Sequence, residues 1–234
     1  MLTDRIAQAL ALAVEAHDGQ KRKGTQIPYI AHPMAVASIA LEHGADEEQA
    51  MAALLHDAVE DGGPEYALRI REQFGDRVAD IVAGCTDGVP DAAGKKEAWQ
   101  PRKERYIAHL EVASDDVLLV SGSDKLHNAR AIVEDLLTSG QAVFKRFTAT
   151  REQTLWYYET LAGIFEDRGT PIACALSDTV ERMKELAAQA DEPQRQCGTP
   201  FVNAAIAAMS EKEREAFYAK WFSESFGLNP SQDV

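Results

Sequence analysis

Chemically capable residues are densest in Ala52-Ala-Leu-Leu-His56-Asp57-Ala-Val-Glu60-Asp61-Gly, where four groups able to bind metal or move protons fall within six positions. His56 and Glu60 are four apart, as are Asp57 and Asp61, so on a helix each pair stacks one turn apart. All four would project from one polar stripe, leaving Leu54, Leu55 and Val59 for packing. The plain alternative is a solvated charged face at a helix end. A helix C-terminus, however, disfavours acids by roughly 0.3–1 kcal/mol each. Acids gathered where the dipole opposes them suggest a cation to offset them.

A His-Asp pair does not complete a metal site, and two further residues stand out. They are His32 in Pro28-Tyr-Ile-Ala-His32-Pro33 and Asp124 in Ser123-Asp124-Lys-Leu-His127-Asn128. With His56 and Asp57 they make two imidazoles and two carboxylates. Such a set suits a first-row divalent ion (Mn, Fe, Co or Zn) better than an all-oxygen Mg or Ca cage. It also leaves positions open for water and a phosphate oxygen. Cations lie nearby in the chain: Lys21-Arg22-Lys23 runs toward His32, and Arg102, Lys103 and Arg105 crowd a helix start where the dipole opposes them. Both groups fit an anionic partner. No Ser-His-Asp or Cys-His pairing competes, and no Gly-rich phosphate loop is present.

Five segments in order carry a resemblance: His17-Asp-Gly-Gln-Lys-Arg-Lys23, Pro28-Tyr-Ile-Ala-His32-Pro, Ala53-Leu-Leu-His56-Asp57-Ala-Val-Glu60-Asp61, Phe74-Gly-Asp-Arg-Val and Asp124-Lys-Leu-His-Asn128-Ala-Arg130. Over residues 1–190 the chain resembles the HD-domain metallohydrolases, and more closely the alarmone hydrolase branch shared by RelA/SpoT enzymes and small metazoan-type hydrolases. The resemblance implies an all-α helical bundle of about eight to ten helices holding one divalent metal, expected to be Mn²⁺, on His32, His56, Asp57 and Asp124. It implies that Glu60 and Asp61 handle the attacking water. It further implies that Arg22, Lys23, Lys103, Asn128 and Arg151 bind the substrate, a guanosine polyphosphate whose 3′-pyrophosphate is hydrolysed to leave GDP or GTP. The family usually has Leu-Ala before the Asp124 position, whereas this chain has Ser121-Gly122-Ser123. Gly122 should weaken its helix by about 1 kcal/mol relative to Ala. Three other readings stay open: the same chemistry on another nucleotide such as NADPH 2′-phosphate, a non-catalytic nucleotide-sensing module, and a helical interaction protein.

The 234 residues fit one domain with a short appendage, and 45% hydrophobic content is ample for a core. A net charge of −14 argues against a general nucleic-acid or membrane-surface binder. Cys85, Cys174 and Cys197 form no CxxC pair, which reads as buried thiols in a reducing compartment. The first residues lack a signal peptide's pattern, and no uninterrupted apolar run reaches the roughly 18 residues of a membrane span. A cytoplasmic location is expected.

The elements that must position these residues follow from caps and breakers. Thr3 caps a first helix to about residue 18, with His17 near its end, and residues 19–28 form a loop. Pro33 opens a second helix to about His43. Asp46 with Gln49 caps the central one. Two short helices over 64–86 break near Phe74-Gly75-Asp76. Residues 87–98 read as an irregular loop bordering the site, before a charged helix from Pro101 to about Ala113. Asp115 or Asp116 starts a helix through Asp124 and Asn128. Thr150 and Gln153 box-cap a helix carrying Trp156, Tyr157 and Tyr158 as core, and another runs from about Thr170 to Ala190. The expected domain is 1–190. Residues 191–234 are expected to be a linker and helical extension, begun at Ser210–Glu213 and presenting Phe217, Trp221 and Phe222 to the body or to a second subunit.

Overall fold

The computed structural model describes residues 2–88 and 97–189, together with Ser210 and Glu213. The chain divides into two compact units, Met1–Pro193 and Gln194–Val234. In the first, nine α-helices are found among the described residues: α1 (Asp4–Ala16), α2 (Ala31–Glu42), α3 (Glu47–Leu55), α4 (Glu65–Phe74), α5 (Asp76–Cys85), α6 (Trp99–Val112), α7 (Asp115–Ser139), α8 (Arg151–Asp167) and α9 (Ala173–Ala187). A π-helical turn, Ala58–Gly62, follows α3, and a 3₁₀ segment, Gly140–Arg146, follows α7. The all-α architecture is as expected. The sole β feature among the described residues is an isolated antiparallel bridge between Lys21 and Pro28.

Helix α3 is the hub. Every residue from Ala50 to Leu55 is buried, so it is apolar all round, as a helix inside a bundle must be. Its alanines let α1, α2, α5 and α7 approach closely. The Asp46–Gln49 capping box forms as expected, with Asp46 accepting from the Gln49 amide at 2.9 Å and Gln49 Oε1 accepting from the Asp46 amide at 2.8 Å. Arg77 of α5 then ties Asp46 and Glu48 at the start of α3 to Asp116 at the start of α7. These exposed pairs stabilise weakly one by one, but they set the register of the two helices that carry ligand candidates.

Several boundaries differ from the sequence reading. Helix α2 starts at Ala31, so His32 lies inside its first turn, where Pro33 needs no amide partner. The break at Gly75 is as expected, with φ +90°. Helix α7 runs 25 residues, capped by Ser114, and extends well past Asn128. Tyr157 and Tyr158 are buried, and Trp156 packs partly buried against the same core. Cys85 is buried, but Cys174 is exposed on α9, against the expectation of buried thiols, because it falls on the outward stripe between Ala173 and Leu176. Cys197, Phe217, Trp221 and Phe222 lie outside the described residues. In the second unit, the Ser210 amide and hydroxyl both donate to the Glu213 carboxylate, at 2.8 and 2.6 Å, which is half of a capping box.

Gly122 reverses its sequence interpretation. A Cβ there would meet Ile172 Cγ2 at 2.4 Å and Phe165 Cε1 at 3.0 Å. The glycine is the contact at which α7 seats against α8 and the start of α9. Gly122→Ala is therefore expected to destabilise by about 1–3 kcal/mol through overpacking, despite a propensity gain near 1 kcal/mol. The denaturant midpoint checks this: an unchanged or raised value would mean that the neighbours yield freely.

Candidate metal centre

Three elements converge. The turn joining α3 to the π turn supplies His56 and Asp57, the first turn of α2 supplies His32, and the middle of α7 supplies Asp124. His56 Nε2 lies 3.1 Å from Asp57 Oδ2 and 3.7 Å from Asp124 Oδ1, while His32 Nε2 lies 3.5 and 3.1 Å from the same two oxygens. Ligand atoms of His32, His56 and Asp124 can all be chosen within 4.8 Å of one another, and all three residues are buried. Bonds of about 2.1 Å to a first-row ion would set neighbouring donors roughly 3 Å apart, so the spacing fits such a site.

The tautomers agree with this. Nδ1 of His56 lies 2.8 Å from the carbonyl of Ala53, which can only accept, so Nδ1 carries the proton. His56 Nε2 is then the ring atom turned toward the centre, buried and without a hydrogen-bond partner although it faces two carboxylates. A buried, unpartnered imidazole nitrogen among acids is what a metal ligand requires. His32 Nδ1 lies 2.7 Å from His127 Nδ1. Burial, with the nearby His32 and Arg22, pulls His127 down to about 4. One Nδ1 donates to the other; a His32 that held an ion through Nε2 would carry its proton on Nδ1 and be the donor, and its Nε2 also faces the carboxylates.

The acids are held ionised. Burial pushes the Asp124 carboxyl up, but the Lys125 ammonium and the two histidines outweigh it and hold it well below the usual range. Asp57 is likewise held low, burial being outweighed chiefly by His56. Lys125 Nζ pairs with Asp124 Oδ2 at 2.6 Å and sits 5.0 Å from the Tyr106 ring centroid. Asn128 donates to Asp124 Oδ1, and Arg22 holds the Asn128 carbonyl oxygen at 2.9 Å. The Tyr29 hydroxyl donates to Asp57 Oδ2 at 2.7 Å.

Glu60 and Asp61 are not on a continuation of α3. The helix ends at Leu55, and both acids lie in the π turn Ala58–Gly62; Asp61 still closes one α-type turn on Asp57, its amide donating to the Asp57 carbonyl at 2.9 Å, but the run from His56 to Glu60 is not regular helix. Such turns are short, costly and concentrated at functional sites. Glu60 is half-buried and Asp61 exposed.

Beside the centre is a cavity of about 450 Å³ lined by Arg22, Lys23, Tyr29, Asn128, Ile132, Asp135, Arg146, Phe147 and Tyr158, among others. A second, of about 230 Å³, shares Lys23, Ile132, Phe147 and Tyr158 and adds Trp99, Lys103 and Tyr157. The structure thus brings Arg22, Lys23 and Asn128 together beside the centre. Lys103 reaches the second cavity, but its ammonium pairs with buried Asp87, which also takes Arg102. Arg151 stays apart: its Nη1 reaches the Ala187 carbonyl at 3.4 Å, and it lines neither cavity. The start of α8 faces the end of α9, whose open carbonyls attract a cation. Sequence reasoning did not single out Tyr29, Lys125 and His127 as parts of the site. Each lies in a quoted motif, but their side-chain directions needed the fold.

The HD domain matches residues 9–156, and the chain belongs to that family. A relative from Aquifex aeolicus named guanosine-3′,5′-bis(diphosphate) 3′-pyrophosphohydrolase is 39% identical over 131 residues, covering 55% of this chain and 18% of that protein. The Escherichia coli K12 bifunctional (p)ppGpp synthase/hydrolase SpoT is also 39% identical, over 128 residues, with the same shares. The chain therefore spans less than a fifth of the length of these curated relatives. Among solved structures, a metazoan ortholog of SpoT described as hydrolysing ppGpp aligns with a TM-score of 0.62 at 26% identity, covering 80% of this chain and 98% of that one. A Listeria monocytogenes protein aligns with a TM-score of 0.56 at 28% identity, covering 68% and 99%. Among the described residues, no helix is long and apolar enough to cross a membrane.

Proposed function

We propose that residues 1–190 form a metal-dependent phosphohydrolase that removes the 3′-pyrophosphate of guanosine polyphosphates, giving GDP or GTP and pyrophosphate. The observation that carries this is the convergence of two buried imidazole Nε2 atoms on the buried Asp124 and half-buried Asp57 carboxylates, beside a cation-lined cavity of nucleotide size. The named activities of the Aquifex, Escherichia coli and metazoan relatives support the choice of substrate.

His32, His56, Asp57 and Asp124 would hold one divalent ion, Mn²⁺ by preference, which when bound would supply Lewis-acid polarisation of a phosphate oxygen and of the attacking water. Arg22 and Lys23 neutralise the pyrophosphate, and Asn128 donates to the nucleotide while orienting Asp124. Glu60 and Asp61 take the proton of the attacking water and pass it to solvent at the exposed turn. Lys103 contributes only if a phosphate draws it from Asp87. Arg151 would need a shift of the α8 start to take part. A cytoplasmic location and a subunit contact through the C-terminal extension complete the reading.

The test is release of pyrophosphate against orthophosphate across ppGpp, pppGpp, GTP and NADPH, with and without Mn²⁺. Mn²⁺-dependent pyrophosphate from the two alarmones is expected; orthophosphate from NADPH instead would transfer the same centre to another nucleotide. A pH dependence follows as well. Although burial opposes it, the neighbouring Asp57 and Asp124 carboxylates raise His56 well above its ordinary value when no ion is bound. Metal must displace that proton. Metal affinity should therefore rise steadily with pH up through the raised His56 range, falling already as pH drops toward neutral, and uptake at pH 7 should release about one proton. Calorimetry in buffers of different ionisation enthalpy reads that number, and no proton release would contradict it.

A further inference from the structure

The loop between α1 and α2, residues 17–30, touches the centre at three points. It is stiffened by the Lys21–Pro28 bridge, with the Arg22 amide on the Ile27 carbonyl and the Tyr29 amide on the Gln20 carbonyl, both at 2.9 Å. Through Arg22 and Asn128 it reaches Asp124. Through the Tyr29 hydroxyl it reaches Asp57 Oδ2, the oxygen lying 3.1 and 3.5 Å from the Nε2 atoms of His56 and His32. Through Gln20 it reaches the π turn, because Gln20 Nε2 donates to the Asp61 carbonyl at 3.1 Å.

The Gln20 amide has one consistent orientation. A carbonyl only accepts, so the NH₂ faces Asp61, and Oε1 accepts from His17 Nδ1 at 3.0 Å. His17 is buried, with no hydrogen-bond partner at Nε2, and its ring lies 4.8 Å from that of Tyr29. One histidine thus backs both contacts.

We propose that Tyr29 and Gln20 are positioning residues of the metal centre, Tyr29 fixing the ligating oxygen of Asp57 and Gln20 fixing the turn that carries Glu60 and Asp61. The proposal rests on the roles given above to Asp57, Glu60 and Asp61, and not on the identity of the nucleotide. A ligand carboxylate whose outer partner is removed rotates more freely and binds less well, typically by 10–100-fold. The π turn holds together over only five residues, so losing its tie to Gln20 moves the acids without touching the ligands.

The two contacts should fail differently. Tyr29→Phe removes one hydroxyl and Gln20→Met keeps length and shape, so both are expected to fold. Metal affinity is measured by competition with a chromogenic chelator, turnover is measured against metal concentration, and amide exchange is followed over 58–62. Tyr29→Phe should bind Mn²⁺ about 10–100-fold more weakly and recover turnover when metal is raised. Gln20→Met should bind Mn²⁺ as the parent does, exchange faster over 58–62, and lose kcat that added metal does not restore, with KM unchanged. Parent-like metal affinity in Tyr29→Phe overturns the first half, and parent-like exchange in Gln20→Met overturns the second. A parent that binds Mn²⁺ but cleaves no alarmone would defeat the substrate reading alone, since chelator competition and exchange need no substrate.

Discussion

Glu60→Gln and Asp61→Asn are expected to keep the metal, bind nucleotide with little change, and lose about 10²–10⁴-fold in kcat, the range for removing a positioned base. Both acids sit in the π turn directly after the His56–Asp57 pair, outside the buried candidate set of His32, His56 and Asp124. Each amide keeps the shape and hydrogen-bonding reach of its acid, so any loss reports on proton acceptance. Both acids are proposed to serve one proton transfer, so the two losses should be less than additive in the double variant. Single-turnover measurements with quantified metal content separate chemistry from binding. If both variants turn over at parental rates, the proton goes elsewhere and the assignment of the turn is wrong.

Asp124→Ala and His56→Ala should both empty the centre, but at different cost to the fold. Asp124 is a ligand candidate on one oxygen and the partner of buried Lys125 on the other. Its removal strips a buried ammonium of its carboxylate, leaving the Tyr106 ring 5.0 Å away among its neighbours. Breaking a buried pair from one side typically costs 3–5 kcal/mol. His56→Ala leaves that pair intact and relieves no charge on α7. Elemental analysis should show metal lost in both. Denaturation of the metal-free proteins should then show Asp124→Ala clearly the less stable. Retained metal in both variants would sink the ligand set; equal stability would mean that Lys125 finds water or another acid.

The helices were readable because their ends are written in local chemistry: Thr3, the Asp46–Gln49 and Thr150–Gln153 boxes, and Gly75 at the break between α4 and α5. The four ligand candidates were readable from residue type and order. What failed depends on through-space packing. The π turn was invisible because its sequence, Ala-Val-Glu-Asp-Gly, continues the helical pattern, and only the neighbouring elements decide how the chain widens. Gly122 looked like a weakness because propensity counts a helix alone, whereas Ile172, fifty residues on, occupies the place of its missing side chain. Arg151 looked like a phosphate ligand by position, yet the carbonyl end of α9 claims it. Lys103 was recognised as a cation, but buried Asp87, at the edge of a stretch read only as irregular, gives it a resting partner.

The lengths of the two elements that face each other across the centre imply two different lifetimes for its walls. Asp124 sits mid-way along a 25-residue helix whose residues Val117–Leu126 are all buried, so amides there should exchange with solvent only when the whole domain unfolds. The 17–30 loop facing it is held by a handful of backbone bonds and one bridge. Its protons should exchange orders of magnitude sooner, through openings that leave α7 closed. On the proposed function, ions and nucleotides would enter and leave through the transient side while the durable side keeps its shape. Exchange on that side should follow global stability, and exchange on the other should not.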